Sequence, residues 1–120
     1  MERWIPETDF IEGDVIQWTE AVFASRRAKP RGRGKGKSVK IGERKVAAEV
    51  LSRDADGWVR LLVWRCIVTK DEQVGRTIEA LKPETTVKRA AKTILRGKVE
   101  RLPWVDESAR HDVVASLRTT

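Results

Sequence analysis

Apolar and polar positions set out three strands in the first half of the chain. Residues 15–23 read VIQWTEAVF. Ile16, Trp18 and Val22 fall on one face, and the β-branched and aromatic content suits a pleated, half-buried surface. Val15, Ala21 and Phe23 fall on the other face, so the alternation is imperfect. A second strand is predicted over residues 44–51, where Val46, Ala48 and Val50 share a face. Asp54-Ala55-Asp56-Gly57 then reads as a hairpin turn, with glycine where a positive φ costs least. Residues 58–68, WVRLLVWRCIV, are apolar on both faces apart from Arg60 and Arg65, the pattern of a central strand. The odd spacing of those arginines puts them on opposite faces, one reaching solvent and the other able to pair with Glu49 or Glu20.

The flanks are less periodic. Trp4, Ile5, Phe10 and Ile11 can pack on the body, Pro6 discourages a helix across them, and Gly13-Asp14 marks a turn. Residues 77–81 fit a fourth strand or a helical turn. Val87, Ala90, Ala91, Ile94 and Leu95 recur at helical spacing over residues 86–96, with Thr85 or Thr86 as cap and Gly97 as stop. A strand is the alternative there, because Thr86, Val87, Thr93 and Ile94 also favour sheet. A last helix is expected after the cap Asp106, with Glu107 in its first turn and Ala109, Val113, Val114 and Leu117 on one face. Trp104 leads into it as an anchor.

Two segments resemble a known fold. Phe10-Ile11-Glu12-Gly13-Asp14-Val15-Ile16 resembles the opening strand of SH3-like barrels such as KOW and Tudor domains. Residues 48–63, AEVLSRDADGWVRLLV, resemble their second and third strands. The likeness covers residues 10–68 and departs in a long basic insertion after the first strand and in the C-terminal part. The expected class is α+β: a small SH3-like β-barrel or strongly twisted antiparallel sheet with one or two C-terminal helices. Residues 1–120 form a single domain, with residues 24–42 a flexible basic loop and residues 84–120 mainly helical.

Charge changes the picture more than composition does. Arg26, Arg27, Lys29, Arg31, Arg33, Lys35, Lys37 and Lys40 fall in one stretch with no acidic residue. Taking these eight from the 25 basic residues leaves 17 against 18 acidic ones, so the net charge of +7 belongs to one segment. Such a concentration must be solvated or meet an anion, and its glycines and proline leave it little apolar surface to bury. Pro30-Arg31-Gly32-Arg33-Gly34 resembles the core of an AT-hook, in which Arg-Gly-Arg lies along the minor groove of A·T-rich DNA; the usual second proline is Gly34. Glycine lets the backbone approach the groove, and a narrow groove concentrates negative potential. The same alternation of Arg or Lys with Gly suits phosphate tracking and RNA. A merely solvated loop is the competing reading.

Secondary contacts are expected at Trp58, Arg60, Lys88, Arg89, Lys92 and Arg96. On a helix, Lys88, Arg89, Lys92 and Arg96 would share the solvent side, extended by Lys98 and Arg101. Of the five tryptophans, Trp18, Trp58 and Trp64 lie in predicted strands, where they either fill the core or form a stacking platform. Trp58, directly after the turn, is the one expected at the surface.

Catalysis finds little support. His111 is the single histidine and Cys66 the single cysteine, with no metal-ligand spacing and no nucleophile motif around them. Asp54-Ala55-Asp56-Gly57 lacks the later ligands of a calcium loop, and Lys35-Gly36-Lys37-Ser38 lacks the first glycine of a phosphate loop. The expectation is a small non-catalytic protein without a cofactor. It would bind DNA or RNA, more readily DNA, and sit in the cytoplasm, on the nucleoid if DNA is its ligand. The alternative is a protein-interaction module, binding a peptide as Tudor domains do or adapting to an acidic partner. No segment has the length and apolarity of a membrane span, and the N-terminus lacks the pattern of a secretory signal.

Overall fold

The computed structural model describes residues 3–23, 40–72 and 77–118. Six strands and two helices follow in chain order: β1 (Ile5–Pro6), β2 (Val15–Phe23), β3 (Lys40–Arg53), β4 (Trp58–Asp71), β5 (Thr86–Ala90), α1 (Ala91–Leu95), β6 (Glu100–Arg101) and α2 (Glu107–Arg118). The strands form one sheet in the order β1-β6-β2-β3-β4-β5, with every pair antiparallel. It is not closed: β1 and β5 are its edges.

The β3–β4 hairpin forms where its turn chemistry requires. Asp54 Oδ1 accepts hydrogen bonds from the amides of Asp56 and Trp58, each at 3.0 Å, and Gly57 takes a φ of 88°. Both strands run past their expected ends, to Lys40 and to Asp71. Their polar ends need only a ladder partner and one solvated face, and each supplies the other's hydrogen bonds.

The ladder carries a correction. Val63 pairs with Ala48, but Arg65 pairs with Ala47, so Trp64 is an extra residue in β4. A bulge of this kind reverses side-chain parity beyond it. Arg60 and Arg65 therefore lie on the same outer face, not on opposite ones, and Cys66 turns inward against the core.

The inner face holds Phe10, Ile16, Trp18, Val46, Ala48, Val50, Val59, Leu61 and Val63, and Ile94 of α1 completes it. Glu20 on β2 contacts Arg89 on β5 at 3.0 Å although two strands lie between them. A flat sheet would hold β2 and β5 about 14 Å apart. The sheet therefore curls until its inner side chains meet.

The segment 86–96 is strand and then a single helical turn, not one helix. Residues 86–90 pair with Leu62 through Trp58, because the edge of β4 otherwise leaves its backbone donors and acceptors unpaired. Gly97 does more than stop α1. A Cβ there would lie 2.1 Å from the Thr19 carbonyl oxygen, and the Gly97 carbonyl accepts the Thr19 amide at 2.9 Å. Residues 77–81 are neither strand nor helix; the Ile78 amide donates to Asp71 Oδ2 at 2.8 Å and its side chain is buried.

Helix α2 begins after Asp106 as expected, and Asp106 Oδ1 accepts the amide of Ser108 at 2.9 Å. Its expected core face is not in the core. Ala109, Val113 and Leu117 are exposed, Val114 is half-buried, and Arg110 is the residue that α2 buries. From residue 84 on, the chain carries two short strands, β5 and β6, as well as the helices α1 and α2.

Candidate nucleic-acid interface

The basic segment joins β2 to β3. Its flanks, Phe23 and Lys40, pair across the hairpin, so the segment leaves the sheet at one end. Arg26, Arg27, Lys29, Arg31, Arg33, Lys35 and Lys37 lie outside the described residues. Lys40 stands at the exit, its Nζ 2.6 Å from Glu43 Oε2; that bond holds the Glu43 carboxyl below the usual range.

The expected secondary residues divide into three groups. Trp58, Arg60 and Lys88 converge. Arg60 and Lys88 are register partners, and the Lys88 ammonium lies 5.1 Å from the centroid of the Trp58 ring, which stays 43% exposed. Lys92 and Arg96 form a second group, exposed one turn apart at α1. Arg89 is in neither. As a strand neighbour of Lys88 it points to the opposite face, where its Nε donates to Glu20 Oε1 at 3.0 Å. Arg101, counted with the basic set, is also turned inward and buried.

Glu20 is the acceptor that removes Arg89 from the surface. It also takes hydrogen bonds from Arg44 Nε at 2.8 Å and Trp18 Nε1 at 3.2 Å. Burial opposes its ionisation, but the bonds from Arg89 and Arg44 outweigh this and hold its carboxyl below the ordinary value. Glu20 therefore pairs with Arg44 and Arg89, not with Arg60 or Arg65 as expected.

A second ionic cluster docks α2. Asp14 is fully buried and accepts the Ile11 amide at 2.8 Å, Trp104 Nε1 at 2.7 Å, and Arg110 through Nε at 2.9 Å and a terminal nitrogen at 2.8 Å. Arg101 grips Glu107 with both terminal nitrogens, at 2.9 and 2.7 Å, and donates to Glu7 from Nε at 2.8 Å. These bonds push Glu107 down to about 2 and raise the Arg101 guanidinium further above its ordinary value. Sequence reading treats Asp14 as a turn residue and Glu107 as a helix-dipole residue. No spacing connects them to arginines 96 residues and six residues away.

The outer face holds a groove of about 310 Å³ lined by Trp4, Gln17, Lys45, Ala47, Arg65 and Ile67. The Arg65 guanidinium sits 6.0 Å from the centroid of the Trp4 ring. Trp64 is 47% exposed, whereas Trp18 is wholly buried. His111 is exposed, and no cluster able to hold a metal occurs among the described residues. No helix among them is long and apolar enough to cross a membrane.

No protein-family model, curated protein or solved structure matches this chain.

Proposed function

We propose that the protein binds nucleic acid, with the segment from Arg26 to Lys40 supplying phosphate contacts. The observation that carries this is the placement of eight cations and no acid in one hairpin connection of an otherwise nearly neutral chain. A duplex or single strand presents a dense row of phosphates, and each neutralised phosphate releases condensed counterions. The Arg-Gly-Arg core adds a preference for DNA, since glycine-spaced arginines fit a narrow groove. The curled antiparallel sheet is consistent with an SH3-like origin for the body, which would then act as a scaffold for the segment. Trp58, Arg60 and Lys88 extend the basic surface beyond it, and Lys92 and Arg96 offer further phosphate contacts.

The test is affinity for duplex DNA, single-stranded DNA and RNA across a salt series. The native chain is compared with a variant whose eight basic residues are Ser or Gly. Affinity should fall steeply with salt, with a logarithmic slope of about 0.9 per phosphate neutralised on duplex DNA, and the slope should flatten in the variant. Equal affinity and slope for the two chains at low salt would refute the reading.

A further inference from the structure

We propose that the outer face of the sheet is a track for the unpaired bases of a single-stranded nucleic acid, and that Trp4 and Trp58 are its stacking positions. The proposal rests on the nucleic-acid reading and adds to it a second contact, for unpaired bases, on the body of the protein.

The Trp64 bulge creates the track. Before it, Trp58 and Arg60 alternate with buried Val59 and Leu61 and therefore point outward. Without the bulge, strict alternation would turn Arg65 and Ile67 into the core. The extra residue returns both to the outer face, where they line the groove with Trp4 and Lys45. Trp58 and Arg65 are then separated by about 20 Å of strand. That length suits several nucleotides, within the range of about 4–16 per single-strand site.

Charge selects the occupant. Lys45, Arg60, Arg65 and Lys88 border this stretch, against Glu49 and against Glu100, whose carboxylate accepts the Gln17 side-chain amide at 2.8 Å at the groove; Glu43, further along β3, is paired with Lys40. Each of these two tryptophans has a cation over one face of its ring, Lys88 at Trp58 and Arg65 at Trp4, so a base would stack on the opposite face. An indole flanked by a cation can stack on a base while the cation meets the adjoining phosphate. A paired duplex hides its base faces and would gain no stacking on this track, only the phosphate and groove contacts of the basic segment. The track runs along β3 and β4 toward the end of the sheet at which Phe23 and Lys40 pair.

Fluorescence anisotropy on the full chain tests this with labelled oligothymidine, oligouridine and a duplex of equal length. Trp58→Ala should weaken both single strands about fivefold or more, as expected for one lost stacking contact, and leave the duplex nearly unchanged. Trp58→Phe should recover most of that loss. Arg65→Gln, which spares both indoles, should also weaken the single strands and lower their salt slope. The ratio between the thymidine and uridine strands reports which sugar the track accepts. If Trp58→Ala and Arg65→Gln bind single strands as the native chain does while the variant lacking the eight basic residues binds weakly, the track is refuted and the phosphate-binding segment stands. Equal losses on single strand and duplex also refute the track. If the native chain binds none of the three at low salt, both readings fall.

Discussion

Replacing Asp14 with Ala tests whether an ionic cluster, and not apolar packing, docks α2. The carboxylate is fully buried and accepts four hydrogen bonds, two of them from Arg110. Those bonds raise the Arg110 guanidinium above its ordinary value. Removing the carboxylate leaves a buried cation with Glu7 at 3.3 Å and the Asp9 carbonyl at 3.1 Å, and leaves the Ile11 amide and the Trp104 indole without their acceptor. Breaking a buried pair from one side costs about 3–5 kcal/mol. At about 4 °C per kcal/mol for a chain of this size, the midpoint of thermal unfolding should fall by roughly 10–20 °C. Arg110→Met in the same background removes the stranded cation, so the double variant should be more stable than Asp14→Ala alone. Thermal and urea unfolding followed by near-ultraviolet circular dichroism measure both. A loss under about 1 kcal/mol for Asp14→Ala, or strict additivity in the double variant, would refute the proposed role of the cluster.

Gly97→Ala should destabilise by about 1–3 kcal/mol or more, because the added carbon meets the Thr19 backbone oxygen and nitrogen, which cannot swing aside as a side chain could; urea unfolding reads this directly. Acid should weaken the fold for a related reason. Glu7, Glu20 and Glu107 all ionise more readily when folded, so the unfolded chain takes up protons first. Their contribution is complete above about 4.5 and should fade as pH drops, for Glu107 through about 2. Glu107→Gln should flatten that part of the stability–pH curve while lowering stability at neutral pH, measurable by chemical unfolding at a series of pH values.

The layout separates two kinds of cation. Arg44, Arg89, Arg101 and Arg110 are inward or half-buried and engaged by carboxylates. Arg60, Lys92, Arg96 and Lys98 stay outward, with no carboxylate partner among the described residues. A census of basic residues along the chain cannot make this distinction, yet it decides which of them can meet a phosphate.

Local chemistry alone determined the hairpin at Asp54–Gly57, the nine-residue strand from Val15 to Phe23, the start of α2 behind Asp106 and the exposure of Trp58. Each depends on residues within a few positions of one another: a turn that needs Asp and Gly, a face that alternates, a carboxylate that caps a helix. The charge of the basic segment is equally legible, because it is a property of composition. Tertiary structure decided the rest. Residues 86–90 became a strand because the edge of β4 offered backbone partners that no local signal announces. Arg65 joined Arg60 on the outer face because the β3–β4 register absorbs one extra residue, which reverses parity without any mark in the apolar pattern. Arg89 left the expected basic surface because the sheet curls and brings Glu20 within reach. The apolar stripe of α2 stayed outside because Asp14, far away in the chain, fixes the helix through Arg110. In every such case the deciding partner is distant along the chain or set by a register. Periodicity reports which face a side chain favours, not which neighbour will be found there.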